Sequence, residues 1–276
     1  MSMLKRIMFT SMVVAGCISS VGCAQEKVSD AQLDKIIAQM EKTGKLDAAI
    51  DRGIKRYGEA QQAAAEKQRE AQAKLAAESA KLARKVDPAR DHIYGSPTAQ
   101  WSYIVYSDLE CPFCKRHAGV PEEAAAKIGT DKINVVFRHL PLPFHGDAAK
   151  REAVASECVA QQAGNDGFFH FVNAVLNTSQ LNGQGLKGGD AEIAKLAAQA
   201  GAKDEAKFTS CMQDVKMQER VQEDLADGAK AGVTGTPGNI IRDNATGASV
   251  PAHGSLPGGA AALEASIRAV MAGPKK

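Results

Sequence analysis

At 276 residues, 44% hydrophobic and 24% charged, the chain has the composition of a folded globular protein rather than a disordered or fibrous one. A formal net charge of +2 at neutral pH gives no basic surplus of the kind a nucleic-acid binder carries, so no nucleic-acid partner is expected.

In chain order, Lys5 and Arg6 precede an apolar run from Ile7 to Val21, followed by small residues and then Gln25-Glu26-Lys27. This is the pattern of an export signal, too short to span a membrane as a mature helix. Residues 1–24 are therefore read as a signal peptide and the protein as periplasmic. Val14-Ala15-Gly16-Cys17 and Ser20-Val21-Gly22-Cys23 both resemble bacterial lipoprotein boxes, so anchoring at Cys17 or Cys23 stays open. Cleavage after Ala24 or lipidation of Cys23 leaves four thiols, whereas lipidation of Cys17 strands Cys23. A soluble exported form is the preferred reading, and either address permits disulfides.

Residues 25–90 form an arm rich in Ala, Gln, Lys and Glu. Leu33, Ile36, Ile37 and Met40 fall at helical spacing before Gly44, and a second helix begins near Leu46 with Ile50, Ile54 and Tyr57 on one face. From Ala60 to Lys85 the stripe thins to alanine, as on a solvated helix. The apolar face between residues 30 and 60 predicts self-association into a homo-oligomer, the alternative being a frayed tether.

Asp87-Pro88 ends this helix, and Gly95-Ser96-Pro97 turns into a domain expected over residues 91–276. Trp101 to Tyr106 reads as a strand, and there the central feature follows: Cys111-Pro112-Phe113-Cys114, a cysteine pair where a strand gives way to a helix. Two thiols at this spacing close a small disulfide or are both free, which is two-electron redox chemistry. Backbone N–H groups at the helix start favour thiolate at Cys111, the attacking sulfur. Pro112 suits the first helical position, and Cys114, one turn in, is the buried resolving thiol. A zinc half-site would need two more ligands, yet there is no second CxxC and no HxxxH, so neither a metal nor a cofactor beyond the Cys111–Cys114 disulfide is expected.

After a kink at Pro121, Ile133 to Arg138 reads as the next strand and His139-Leu140-Pro141-Leu142-Pro143 as a loop. A helical block fills residues 146–230, with helices over Ala148–Gln162, Phe168–Leu176, Ala191–Ala200 and Phe208–Ala229. Cys158 and Cys211 lie in two of them and are placed either to staple them by a structural disulfide or to pack as small buried hydrophobes. Thr236-Pro237-Gly238 leads into a strand over Asn239–Arg242, a turn over Asp243–Gly247 and a short strand from Ala248 to His253. Leu263, Ile267 and Val270 mark a closing helix.

From Gly95 onward this order resembles the DsbA family of exported thiol:disulfide oxidoreductases. The residues that carry the likeness are Tyr106 to Lys115, Arg138 to Leu142 with Phe144-His145, and Gly235-Thr236-Pro237, about 120 residues downstream of the cysteines. The resemblance implies an α/β thioredoxin fold with an inserted helical domain, here behind a long N-terminal helical arm. It implies a cis-proline at Pro237 that leaves the backbone of Thr236 open to a client peptide, so that Pro112, Phe113, Thr236 and Pro237 form the client-binding surface. Threonine at 236 is closer to the DsbC, DsbG and ScsC relatives than to DsbA itself. Partners implied are unfolded or misoxidised exported proteins and a membrane redox partner. Many relatives carry a buried acid six residues before the first cysteine; Val105 stands there. Lys115, His117 and His145 are candidates for tuning Cys111. The active site alone leaves oxidase and isomerase directions both open. The competing class is a holdase or copper-handling protein, because two close thiolates also suit Cu(I), but no Met-rich or His-rich tract accompanies them.

Overall fold

The computed structural model describes residues 29–252 and 257–273. The signal region, Cys17, Cys23 and His253 lie outside them. No helix among the described residues is long and apolar enough to cross a membrane. The chain divides into two compact units, Met1–Ala65 and Glu66–Lys276.

The first unit holds α1 (Asp30–Lys42) and the beginning of α2 (Lys45–Ala80). Ser29 opens α1 with its N–H donating to Gln32 Oε1, and Gly44, at φ 64°, makes the turn between the helices. Leu33, Ile36, Ile37, Ile50, Ile54 and Tyr57 are all exposed.

The second unit is a five-stranded sheet in the order β1-β3-β2-β4-β5, from β1 (His92–Tyr94), β2 (Trp101–Ser107), β3 (Ile133–His139), β4 (Gly238–Asp243) and β5 (Ser249–Ala252). The central pair, β2 and β3, is parallel, and every other pairing is antiparallel. Parallel neighbours need a crossover, which α3 (Pro112–His117) and α4 (Val120–Ile128) supply. Alternation along β2 fixes the faces. Tyr103 and Val105 pack with α4 and with α9 (Gly259–Met271) through Ala124, Ile128, Leu263 and Ile267. Ile104 and Tyr106 point the other way, onto Ala80, Ala83, Leu140 and Ala231. Each such fully buried aliphatic side chain contributes about 1.5–3 kcal/mol.

Between β3 and β4 lie four helices, α5 (Gly146–Thr178), α6 (Asp190–Gln199), α7 (Glu205–Met212) and α8 (Val215–Lys230). Their core, built on Phe168, Phe171, Val175, Leu196 and Phe208, runs continuously into Leu109, Cys111 and Cys114. The helical block thus forms one wall of the cysteine site. Cys158 on α5 and Cys211 on α7 are bonded, their Cα atoms 5.7 Å apart.

Several boundaries differ from the sequence reading. The strand β1 is three residues long, too short to show alternation, and exists through its pairing with β3. His139 ends β3 instead of opening the loop, since it still pairs with Ser107. The single helix expected over Phe208–Ala229 is two, because the Asp214 side chain accepts from the Lys216 N–H and starts α8 afresh. The break expected between the helices over Ala148–Gln162 and Phe168–Leu176 is present, at Gly164, where the backbone within α5 leaves helical geometry. Residues 66–90, assigned from sequence to the arm, are part of the second compact unit. After Ala80 the chain leaves the helix, Ala83 is buried, and the Arg84 N–H donates to Asp227 Oδ1 at 2.7 Å.

Candidate active site

Cys111 ends the loop after β2 and caps α3, so its sulfur sits where helical N–H groups converge. Both Cys111 and Cys114 are buried free thiols. The Cys111 thiol is pulled down to about 5, first by the hydrogen bond from the Cys114 thiol, against a burial cost. The Thr236 hydroxyl, buried and without another partner, lowers it further, as do the N–H groups of Cys114 and Phe113. Cys114 moves the opposite way: burial first, then the neighbouring Cys111, raise it well above an ordinary thiol. The Asp108 N–H, 3.4 Å from Cys114 Sγ, holds it in place. Two chemically equal residues are thereby made unequal, a nucleophile and leaving group at the rim and a protonated thiol behind it.

The loop Gly232–Gly238 brings the second half of the site from 125 residues away: the Thr236 carbonyl oxygen lies 3.4 Å from Cys111 Sγ. The Thr236–Pro237 peptide is cis, and both residues are partly exposed just before β4 begins. Phe113 is 56% exposed with the Arg116 guanidinium 4.4 Å from its ring centre, and Phe144 is 75% exposed. Pro112 occupies the first turn of α3.

Two of the expected tuning residues, Lys115 and His145, are engaged elsewhere. Lys115 donates to the Asn177 carbonyl at 3.1 Å, and His145 Nδ1 lies 2.7 Å from Asp108 Oδ2. His117 is buried on the Cys114 side, and burial lowers its imidazole to about 4, so it is neutral at physiological pH. Instead, carboxylates surround the loop before Cys111: Asp108 and Glu110, which the sequence places near the cysteines but at the strand end, and Glu152, which it does not mark. Asp108 accepts from the N–H groups of Glu110 and Leu142 and fixes the loop that precedes Cys111. Glu110 accepts from Ser179 and from the Gly185 N–H. Beside it, Glu152 is raised to about 9 by burial and then by Glu110, so the Glu110–Glu152 pair keeps a proton at neutral pH. No spacing in the sequence marks Glu152 as a neighbour of Glu110; only the docking of α5 makes it one.

The low Cys111 value carries a pH prediction. A folded value below the unfolded one, about 8.5, contributes stability to the reduced protein that is fully present above pH 8.5 and lost as pH falls through 5. The oxidised protein has no such term, so the melting temperature of the reduced form should rise relative to the oxidised form across that window. Alkylation of Cys111 by iodoacetamide should be half-maximal near pH 5; a midpoint near 8.5 would contradict the site described here.

Comparison with known proteins agrees with this geometry. The family model described as thioredoxin matches residues 87–252. Among solved structures, DsbA2 of Pseudomonas aeruginosa is 32% identical, with 65% of this chain and 95% of that one covered and a TM-score of 0.54. The alpha-DsbA1 of Wolbachia pipientis is 24% identical over 66% of this chain and 92% of its own, TM-score 0.52. A linker-deletion mutant of ScsC from Proteus mirabilis is 17% identical over 90% of this chain and 99% of its own, TM-score 0.57; at that identity the likeness is one of fold. Curated relatives include Na(+)/H(+) antiporter NhaA 1 of Mycolicibacterium gilvum, 44% identical over 82 residues, which are 30% of this chain and 13% of that one. The namesake in Salinispora arenicola is 30% identical over 194 residues, 69% of this chain and 26% of that one. The chain thus spans only about an eighth to a quarter of these antiporters.

Proposed function

That this chain belongs to the thioredoxin family, as a thiol:disulfide oxidoreductase of the DsbA kind, is the premise from which we propose that it works in the periplasm, exchanging disulfides with exported proteins through Cys111 and Cys114. The single observation carrying this reading is the acidified Cys111 thiol set against the Thr236–Pro237 backbone. In the oxidising direction, a client thiolate attacks Cys111 Sγ, Cys114 leaves and takes a proton, and a mixed disulfide forms. A second client thiolate then attacks the client sulfur, and Cys111 departs as a thiolate. Thr236 pairs with the extended client backbone, while Pro112, Phe113 and Pro237 offer apolar contact. A membrane redox partner restores the starting state.

Magnitudes favour oxidation. With a value about 3.5 units below a free cysteine, Cys111 gains roughly 30-fold in thiolate fraction at neutral pH. The accompanying loss of nucleophilicity, at a Brønsted slope of about 0.45, is also roughly 30-fold. Attack is therefore not accelerated; what Cys111 gains is speed as a leaving group and stability when reduced. A second reading, an oligomeric isomerase or reductase of the DsbG/ScsC type, is favoured by the exposed apolar side chains of α1 and α2, which burial against a second copy would cover.

The test compares the protein lacking residues 1–24 with a chain beginning at Glu66, so that Ala80, Ala83 and Arg84 stay in place. Both should oxidise reduced ribonuclease well above the glutathione background. If residues 30–60 assemble copies, only the longer chain should be oligomeric and recover scrambled ribonuclease. Oxidation no faster than glutathione alone would sink the function proposed here.

A further inference from the structure

Behind Cys114 lies a cavity of about 30 Å³, lined by Cys114, His117, Glu122, Ser107 and Asn173 and otherwise by apolar side chains, Val105 among them. Val105 stands on β2 six residues before Cys111, where the resemblance places a buried acid, and its side chain is apolar. A carboxyl group comes to this cavity from α4 instead. Glu122 sits in the first turn of that helix, next to Pro121, and its Oε2 is buried without a hydrogen-bond partner. The Nε2 of His117 is likewise buried and unpartnered. The volume is that of one or two waters, and a bound water needs two to four polar partners; Cys114, His117 and Glu122 supply three.

Resting on the function proposed above, we propose that Glu122 is the proton acceptor and donor for the resolving thiol, acting through one water held in this cavity with His117. In resolution of a mixed disulfide, the Cys114 thiol gives its proton through the water to the Glu122 carboxylate. The Cys114 thiolate then attacks Cys111 Sγ, the Cys111–Cys114 bond forms, the bond from Cys111 to the client sulfur breaks, and the client leaves as a thiolate. In the opposite direction Cys114 is the leaving group and recovers that proton from Glu122. Neither direction needs an external oxidant beyond the disulfide being exchanged.

Of the other acids near the cysteines, Glu152 also has buried, unpartnered carboxyl oxygens but does not line this cavity, and Asp108 and Glu110 are committed. Asp108 holds His145 and the N–H groups of Glu110 and Leu142; Glu110 holds Ser179 and the Gly185 N–H. Burial raises the Glu122 carboxyl, which brings its proton affinity toward that of a thiol, as a general base for a thiol requires. The other titratable groups facing the cavity or Glu122 are His117 from α3, neutral at working pH, Tyr103 from β2, and the Cys114 thiol.

The experiment is stopped-flow reaction of the reduced protein with dithiobis(nitrobenzoate), which releases one nitrothiolate when Cys111 attacks and a second when Cys114 resolves the mixed disulfide. In Glu122→Gln, which keeps shape but accepts no proton, the second phase should slow by about 100-fold near neutral pH. The slowing should shrink as pH rises and solvent hydroxide takes the proton, while the first phase is retained. A folded Gln variant, checked by its melting curve, that resolves at the wild-type rate overturns the proposal. If the variant does not fold, the wild-type profile decides: the second phase must show an ionisation of its own, above the ordinary carboxylate range and absent from the first, and its absence overturns the proposal. Failure of the underlying function would look different, as a wild-type protein that releases no second equivalent.

Discussion

Replacing Cys111 with serine should bring disulfide exchange down to the uncatalysed rate, and replacing Cys114 with serine should do so by trapping the protein on its clients. The two outcomes differ because the structure makes the two sulfurs different. Cys111 is the thiol held at about 5 by its hydrogen bonds; a serine hydroxyl there forms no disulfide and accumulates no adduct. Cys114 is 2% exposed and held as a thiol, so its loss leaves attack by the Cys111 thiolate on a client disulfide intact but removes the escape. Scrambled ribonuclease, whose disulfides the Cys111 thiolate can attack with a client thiolate as leaving group, should, when incubated with each reduced variant, quenched in acid and resolved by mass, give covalent adducts with Cys114→Ser and none with Cys111→Ser. Adducts in equal amount from both would mean that another thiol does the chemistry.

Arg138→Ala should destabilise the second unit by about 3–5 kcal/mol, a fall in melting temperature of roughly 10 °C. Arg138 is wholly buried on β3. It donates to Asp91 at 3.1 and 3.0 Å, to Asp227 at 2.7 Å, to the Tyr106 hydroxyl and to the carbonyls of Arg84 and Lys85. Removing it leaves two buried carboxylates short of their cation, and Arg84, 2.6 Å from Asp91, compensates only one of them. Burial alone would raise the Asp91 carboxyl, but the hydrogen bonds and charge of Arg138 outweigh it and hold the group below its ordinary range. That depressed value contributes stability above about pH 4 and loses it as pH falls through the folded value. The deficit of the variant should accordingly be largest near neutrality and shrink below about pH 4, where unpaired carboxylates protonate. Thermal melts of the two proteins across that range give the answer. A deficit independent of pH would assign the loss to packing around the arginine stem.

The same network explains why the sequence does not show that residues 80–91 are anchored in the second unit. Alanine-rich helix with alternating charge looks solvated, and nothing local marks Ala80, Ala83 or Arg84 as parts of a core. The partners of Arg84, namely Asp91, Asp224 and Asp227, lie up to 143 positions along the chain, and Ala80 and Ala83 pack on Ile104, Tyr106 and Ile240. Short β1 was invisible for a related reason: three residues carry no period, and only the β3 backbone gives them their bonds. By contrast the runs Trp101–Tyr106 and Ile133–Arg138 were legible, because β-branched and aromatic side chains suit a strand buried on both faces.

The sequence by itself determined the chemistry and the order of elements: a cysteine pair two residues apart, with proline between, placed where strand gives way to helix, and Thr-Pro ahead of a hairpin. These are local matters, decided by spacing and by groups a few residues away, and they supply the Cys114 and backbone hydrogen bonds that pull the Cys111 thiol down. Which groups share the site was decided by the tertiary structure. Packing brought Thr236 to the Cys111 sulfur, bonded Cys158 to Cys211 and set Glu152 beside Glu110. It also carried Glu122 into the cavity behind Cys114 while Val105 kept the strand wall apolar. Burial and desolvation, which set the proton affinities of all these groups, depend on long-range contacts that no local pattern contains.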